Sequence, residues 1–544
     1  MTPSKEARQV AEERGPDQSI PRLATARTAF VGRTLRGPVN RPVFIKSFAE
    51  FQHVFGGLWQ PSLLGYAIEQ FFENGGREAF IVRVVNGARS ATLTLKAGDQ
   101  TLNLQALRPG TREFLRASVD FDNIGGDQVA VFNLTIQRVR AQGTGQVEDQ
   151  EIFHRVSALS SDERYFPRAI AHSALIRLVG EMPTRRPDRT LDPASGLATA
   201  YVNSNSDGDD GAPLTDYDLI GSSQDHAGIF ALQQAEYFNF LCMPPLSRDK
   251  DVGPSALLVA ARYCKQRSAL LIVDPPSGWQ TVDDALSGLR DWNFFNENAL
   301  MYFPRVLAHD KLRGHFESFA PCGAVAGMLA RFDESSPVWL SADREEEPIL
   351  RPGFRPACMV SEDRRIRLAN LGVNTLQSVR STARMNVRLR TLAGSNTANA
   401  DWRYLGARRL ALFILSSIEH GTRAGMAAGA AAEVSEKTAA QVRTFFEGLL
   451  EAGTFGPRRM EEAFFVICDE RVNNSSALSR GEIQIVIGFA ASREHEFHCF
   501  RVLQSAAGSK IQSVSLNRLT ISQYSPAELE WVDSIARSLA EHSA

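Results

Sequence analysis

The spacing of apolar residues changes along this chain, and the changes mark out its parts. Between Asp401 and Leu503, DWRYLGARRLALFILSSIEHGTR and TAAQVRTFFEGLLEAGTF carry apolar residues at helical intervals, whereas FFVICDE, EIQIVIGF and EFHCFRV run in strand-like fashion. The pattern predicts a small C-terminal α+β domain over residues 396–503. Its last strand, EFHCFRV, lies close to the end of a domain, where a strand can pair with a neighbouring molecule as easily as with its own sheet.

Upstream, residues 1–25 show no period long enough to bury a face, and Gly15, Pro16 and Pro21 punctuate them, so they read as an arm. Residues 26–90 open a core with a strand at Ala29–Gly32, a second at Pro42–Ile45, a helix bearing Leu64, Ala67, Ile68, Phe71 and Phe72 on one face, and a strand at Ala79–Val85. Asn74-Gly75-Gly76 should stop that helix. Residues 91–215 shift to short alternating runs such as TLTLKA and VAVFNLTIQRV, which predict an inserted β-rich domain ending in the polar linker NSNSDGDDGAPLTD. Over 216–395 apolar runs (FNFLCMPP, ALLIVDPP, ALMYFPRV) alternate with amphipathic ones (SALLVAARYCKQR, DDALSGLRDW), the mark of a sheet covered on both faces. A further strand pattern spans Arg384–Leu392. Beyond the C-terminal domain, 504–544 is an extension with a strand-like IQSVSLNRLTI and a short helix from Pro526. The fold class is therefore α/β and α+β multidomain, a mixed-sheet core with an inserted β-rich domain and a C-terminal α+β domain carrying terminal arms.

Composition narrows the function. At 544 residues several cores are expected, and 60 basic against 62 acidic residues give no general pull toward nucleic acid or anionic membrane. Only eight of the basic residues are lysine; arginine suits bidentate interface pairs, although a GC-rich genome would produce the same bias. The six cysteines are scattered without a CxxC pair, as befits buried thiols in a reducing cytoplasm. The N-terminus is too polar for a secretory signal, and no apolar run approaches the roughly 20 residues of a membrane helix. The expectation is a soluble protein made in the cytosol.

Candidate chemistry is sparse. Asp274 ends an apolar strand, where nucleotide-hydrolysing enzymes hold magnesium, but no GxxxxGK[ST] accompanies it. An α/β enzyme using Asp274 is the distant alternative to a non-enzymatic role; an Asp that opens the Pro275-Pro276 turn is the plainer reading. Asn205, Asp207 and Asp209 have a calcium-loop spacing, yet Asp210 stands where that loop requires glycine, which favours a solvated linker. His495 and His498, at odd spacing in a strand, point to opposite faces and cannot share a metal. Gly421, Gly425 and Gly429 form a GxxxGxxxG in a run too short for a membrane helix. No cofactor or metal is expected.

With these residues in hand, the chain resembles the sheath proteins of contractile tails, found in bacteriophages and phage-like injection particles. The likeness runs from about Val10 to Leu503 and rests on the order of many stretches. They include AFVGRTLRGPVNRPVFIKSFAEFQHVFGG with FFENGGREAFIVRVV, then DLIGSSQDHAGIFAL with YCKQRSALLIVDPPSGW, then Ala326-Gly327, Ala330-Arg331, Asp333 and Val338-Trp339, and finally Arg390-Thr391-Leu392 leading into Asp401-Trp402-Arg403-Tyr404, Arg408-Arg409-Leu410, Gly421-Thr422-Arg423 and EEAFFVICDE. Two departures accompany it. The arm keeps the acidic pair Glu12-Glu13 without the Pro-Gly-Val-Tyr lead-in, and AGMAAGAAAEVS, helical or a loose loop, follows Arg423 in place of an aromatic-rich strand.

The resemblance implies a structural polymer that stacks as helical rings around an inner tube and contracts to drive the tube through a target envelope. A specialised paralogue capping or initiating the stack at the baseplate is the alternative. The implied partners are further copies of the chain, the inner tube protein, and baseplate and tail terminator proteins, with no nucleic acid and no membrane insertion. The implied setting is a phage tail or injection particle assembled in the bacterial cytoplasm. Neighbouring copies in such sheaths exchange β-strands through their terminal arms. On this chain that points to Val10, Glu12 and Glu13 in the arm and to Glu496, Phe497, His498, Cys499, Phe500, Arg501 and Val502 in the closing strand. Arg408, Arg409 and Arg443, on the two helices of the C-terminal domain, are the candidates for facing the tube.

Overall fold

The computed structural model describes residues 20–514 apart from 142, 192–199, 206, 340–347, 380–386, 395–399, 424–430, 470–471, 474–480, 492–496 and 506–507. Its centre is a seven-stranded sheet built from β1 (Thr28–Gly32), β2 (Val43–Ile45), β3 (Ala79–Arg83), a group β11 (Phe240–Cys242), β12 (Leu270–Val273) and β13 (Ala299–Phe303), and β17 (Val373–Thr375), in the order β17-β13-β12-β11-β1-β3-β2. All pairs are parallel except β2 with β3. The runs TAFVG, LLIV and ALMYF are buried at every residue because helices cover both faces of the sheet. Ala29 and Val31 join the cluster under helices Pro254–Gln266 and Val282–Gly288, while Phe30 joins the cluster under Leu64–Asn74 and Cys322–Ser335.

The last two helices lie in close contact, and glycine is the cause. A Cβ on Gly323 would stand 1.9 Å from the Ala67 carbonyl oxygen, and one on Gly327 would stand 2.1 Å from that of Phe71. Helix Leu64–Asn74 ends where Gly75 turns left-handed at φ +112° and its N–H bonds the Phe71 and Phe72 carbonyls, at the predicted stop.

Between β3 and β11 stand two antiparallel sheets. One, in the order β10-β6-β7-β8, comprises β6 (Phe114–Asp120), β7 (Val131–Val139), β8 (Val147–Ser157) and β10 (Val202–Asn203); the other, β4-β5-β9, comprises β4 (Thr92–Ala97), β5 (Gln100–Ala106) and β9 (Ile176–Leu178). They enclose an apolar cluster of their own, from Leu93 to Ile176. The polar stretch that closes this region is more than a solvated linker. Asp207 accepts from the backbone N–H and hydroxyl of Thr92, both at 2.9 Å, and Asp210 does the same for Thr111 at 2.9 and 2.8 Å. The bonds from Thr92 hold the Asp207 carboxyl below its ordinary pKa. A small sheet of β14 (Val306–Asp310), β15 (His315–Phe319) and β16 (Arg355–Pro356) flanks the central one.

The Arg384–Leu392 pattern does not form a strand in its described part, residues 387–392. Asn374 instead clamps Arg390, donating to its carbonyl at 2.8 Å and accepting from its N–H at 2.7 Å, so the segment lies against β17 by side-chain bonds.

Candidate functional site

The C-terminal region is organised on the 19-residue helix Leu405–Arg423, which is buried on nearly every side. A helix buried on nearly every side must have neighbours on nearly every side, and any polar residue it carries there must find partners. Leu405 and Leu412 pack into the central core, whereas Leu410, Phe413, Ile414 and Ile418 pack into the C-terminal one. Helix Ala431–Glu451 and a four-stranded antiparallel sheet complete the second core, in the order β18 (Phe464–Ile467), β19 (Ile483–Phe489), β20 (His498–Ser505) and β21 (Gly508–Val514).

Arg408 and Arg409, expected to face the tube, are not exposed on this chain. Both are buried in the seam between helix Leu405–Arg423 and the central body. Arg408 donates to Asn298 Oδ1 at 2.5 Å and lies 3.5 Å from Glu297, and burial pulls its guanidinium pKa down against that carboxylate. Arg409 grips Asp333 with both η-nitrogens, one at 2.8 Å, and donates to the Thr25 carbonyl at 3.1 Å. An arginine is retained in such a place only because paired acceptors are already there. Arg443, on helix Ala431–Glu451, is exposed.

The same seam fastens the root of the arm. Thr25 donates to Asp333 Oδ2 at 2.5 Å, the Leu23 N–H to Ser417 Oγ at 3.4 Å, and Arg22 to the Gly448 carbonyl at 2.8 Å while lying over the Trp339 ring. Ile20 is buried in the C-terminal core against Gly421, where a Cβ would meet it at 2.9 Å. Residues 20–25, predicted as free arm, are therefore stitched across helix Leu405–Arg423, and the chain before Ile20 sets out from the C-terminal domain. Val10, Glu12 and Glu13 lie outside the described residues, as do Glu496, Gly425 and Gly429.

The closing-strand candidates are placed in the middle of the sheet. β20 pairs with β19 from Phe489↔His498 to Ile483↔Gln504 and with β21 from Cys499↔Val514 to Ser505↔Gly508. His498, Cys499, Phe500 and Val502 are buried, Arg501 and Phe497 half-buried. His498 bonds Asp401 at 2.9 Å beneath the Trp402 ring, and burial pushes the Cys499 thiol up to about 12. Both edges of β20 are thus occupied by its own chain. Among the described residues the free edges belong to the four-residue β18 and the seven-residue β21, and β21 is more exposed, with Lys510 directed to solvent. The strand-like IQSVSLNRLTI was visible in the sequence, but GSKIQSV is polar and reads as an extension, so its place as the edge of this sheet was not.

The whole arrangement has a structural counterpart. The sheath tail protein of Listeria innocua matches 90% of this chain over 96% of its own length, with a TM-score of 0.57 and 13% sequence identity. The chain has the fold of a tail sheath protein. The sheath tail protein of Desulfitobacterium hafniense (11% identity, 90% of this chain, 98% of that one, TM-score 0.48) and the helical sheath of the anti-feeding prophage in its contracted state (14% identity, 89% and 94%, TM-score 0.49) align over a similar span. No family model and no curated protein matches the sequence. In this sheath fold no group of three His, Cys, Asp or Glu among the described residues could hold a metal. All six cysteines are free thiols, and no described helix is long and apolar enough to cross a membrane.

Proposed function

We propose that this chain is the structural subunit of a contractile sheath, polymerising as helical rings around an inner tube and shortening to drive that tube through a target envelope, without a catalytic role. The observation that carries the reading is the match to a sheath tail protein over nearly the full length of both chains. The tethered arm root and the free-edged sheet support it, because they give each copy something to extend and something to receive.

In this reading the first residues of one copy add a strand to the outer edge of β21 in the next. From Ile20 back to Val10 the chain can span at most about 36 Å. Glu12 and Glu13 would then meet the exposed Lys510. Each added strand contributes a few backbone hydrogen bonds at about 1 kcal/mol each, multiplied by avidity around a ring. The exposed face of helix Ala431–Glu451, with Glu436, Lys437 and Arg443, is the surface offered to the tube. Baseplate and terminator proteins would meet the ends of the stack, and assembly would take place in the bacterial cytoplasm.

Negative-stain microscopy of the purified full chain tests the proposal: tubes are expected, short rings would favour a cap or initiator at the baseplate, and discrete small particles would overturn the polymer. Deleting residues 1–19 should abolish tubes while circular dichroism stays native; unchanged tubes would remove the arm from the mechanism.

A further inference from the structure

Asp274, left aside by the sheath reading, lines a cavity. The pocket of about 440 Å³ lies at the carboxyl ends of β11 and β12, the side of a parallel sheet on which α/β folds bind ligands, and falls within the size range of small-molecule sites. Its wall is mainly apolar, with Met243, Val252, Leu257, Leu271 and Phe294. Two polar atoms in the lining residues are buried and lack a hydrogen-bond partner among the described residues: Asp274 Oδ2, an acceptor, and Trp292 Nε1, a donor. Buried polar atoms are almost always paired, so a complementary acceptor and donor in one apolar cavity point to something that completes both.

The structural role of Asp274 accounts for only half of its carboxyl group. Oδ1 accepts from the Cys322 N–H at 2.7 Å at the start of the helix and the Cys322 thiol also interacts with the carboxyl group, yet Oδ2 has no partner at hydrogen-bond distance among the described residues. The charges nearby fix the sign of the ligand. Asp251 accepts from the Ser277 N–H and hydroxyl at 2.7 and 2.8 Å and lies 3.5 Å from Arg305, so the guanidinium is directed toward that carboxylate. Asp291 adds a further negative charge at the rim. Three carboxylates against one arginine favour a cation.

We propose that this cavity binds a small amphipathic amine, its ammonium group on Asp274 Oδ2 and its apolar body between Leu257 and Phe294, within reach of the Trp292 indole. This site goes beyond the sheath reading and does not depend on it. Burial raises the Asp274 carboxyl to about 6, against the Cys322 bond and the charge of Arg305, so the group is ionised above that pH. The Cys242 and Cys322 thiols facing it are pushed up by burial and stay neutral, which leaves Asp251, Asp291 and Arg305 as the other charges around it.

The test titrates the full chain at pH 7.5 with 2-phenylethylamine, 2-phenylethanol and phenylacetate, followed by calorimetry and indole fluorescence. The amine is expected to bind saturably and at least tenfold more tightly than either control, and to weaken about tenfold at pH 5. Asp274→Asn keeps the acceptor for Cys322 and should lose the amine preference while binding the alcohol as before. Leu257→Trp should fill the cavity and abolish all binding. Equal affinity for amine and alcohol, undiminished amine binding by Asp274→Asn, or binding of none of the probes would each overturn the assignment.

Discussion

The central sheet and the C-terminal sheet are finished in opposite ways. The first buries TAFVG, LLIV and ALMYF completely between two layers of helix. The second has its core packed on helices Leu405–Arg423 and Ala431–Glu451, but it ends in β21, a strand without a single fully buried residue. A sheet covered on both faces makes a rigid body. A sheet with a free edge still carries backbone groups that another strand could pair with, the use proposed for β21, although a lysine on such an edge also guards against indiscriminate pairing. In the proposed sheath the division of labour would be physical: one region would keep its shape while the other made connections.

The largest break in that comparison should come from the seam between the two. Asp333→Ala leaves Arg409 buried without its carboxylate and frees Thr25, which is expected to cost about 3–5 kcal/mol in chemical denaturation. A double replacement by Leu at 333 and Met at 409 should recover most of that loss. Next in size, Gly327→Ala forces a methyl group onto the Phe71 carbonyl and should destabilise only the central body, by about 2 kcal/mol. Lys510→Glu sharpens the comparison from the other side. Stability should hold within about 0.5 kcal/mol, as for an exposed residue, whereas tube formation falls roughly tenfold by light scattering. Reversing Glu12 and Glu13 to lysine should restore it, and failure to do so would separate the arm from β21.

The smallest effect concerns pH. Asp274 binds its proton more tightly folded than unfolded, since its pKa rises from 3.8 to about 6 through burial. Ionising it therefore costs stability as pH climbs from about 4 to 6, and the penalty is fully present above that. Asp274→Asn should raise stability by about 1 kcal/mol at pH 7.5, the partial exposure of the residue reducing the effect, and the gain should vanish at pH 4.

Much of the architecture could be read in advance because it is written locally. Unbroken apolar runs between amphipathic ones announce a covered parallel sheet, and period-2 alternation announces the inserted sheets. What could not be read depends on residues far apart. Arg408 and Arg409 look like surface residues until Asn298 and Asp333, more than seventy positions upstream, supply their partners. EFHCFRV looks terminal until β21 folds back over it. For the same reason proline at Phe500, an apparent test of pairing between copies, would instead unfold the domain, because Phe500 sits in its core. The Asp274 cavity was half legible: the strand-end carboxylate was visible, but the apolar wall that gives it meaning comes from four separate segments.

The stitched root of the arm has a mechanical consequence. A pull directed along residues 20–25 would load the bonds of Arg22, Leu23 and Thr25 together in shear, so that they would not peel apart one by one. In the proposed sheath the tension would then pass through Asp333 and Arg409 into the central body and bypass the sheet proposed to receive a neighbour's strand. Incoming and outgoing force would enter each subunit at different places. Single-molecule pulling from residue 19 would show one high rupture step if this is so, and a staircase of small ones if the root peels.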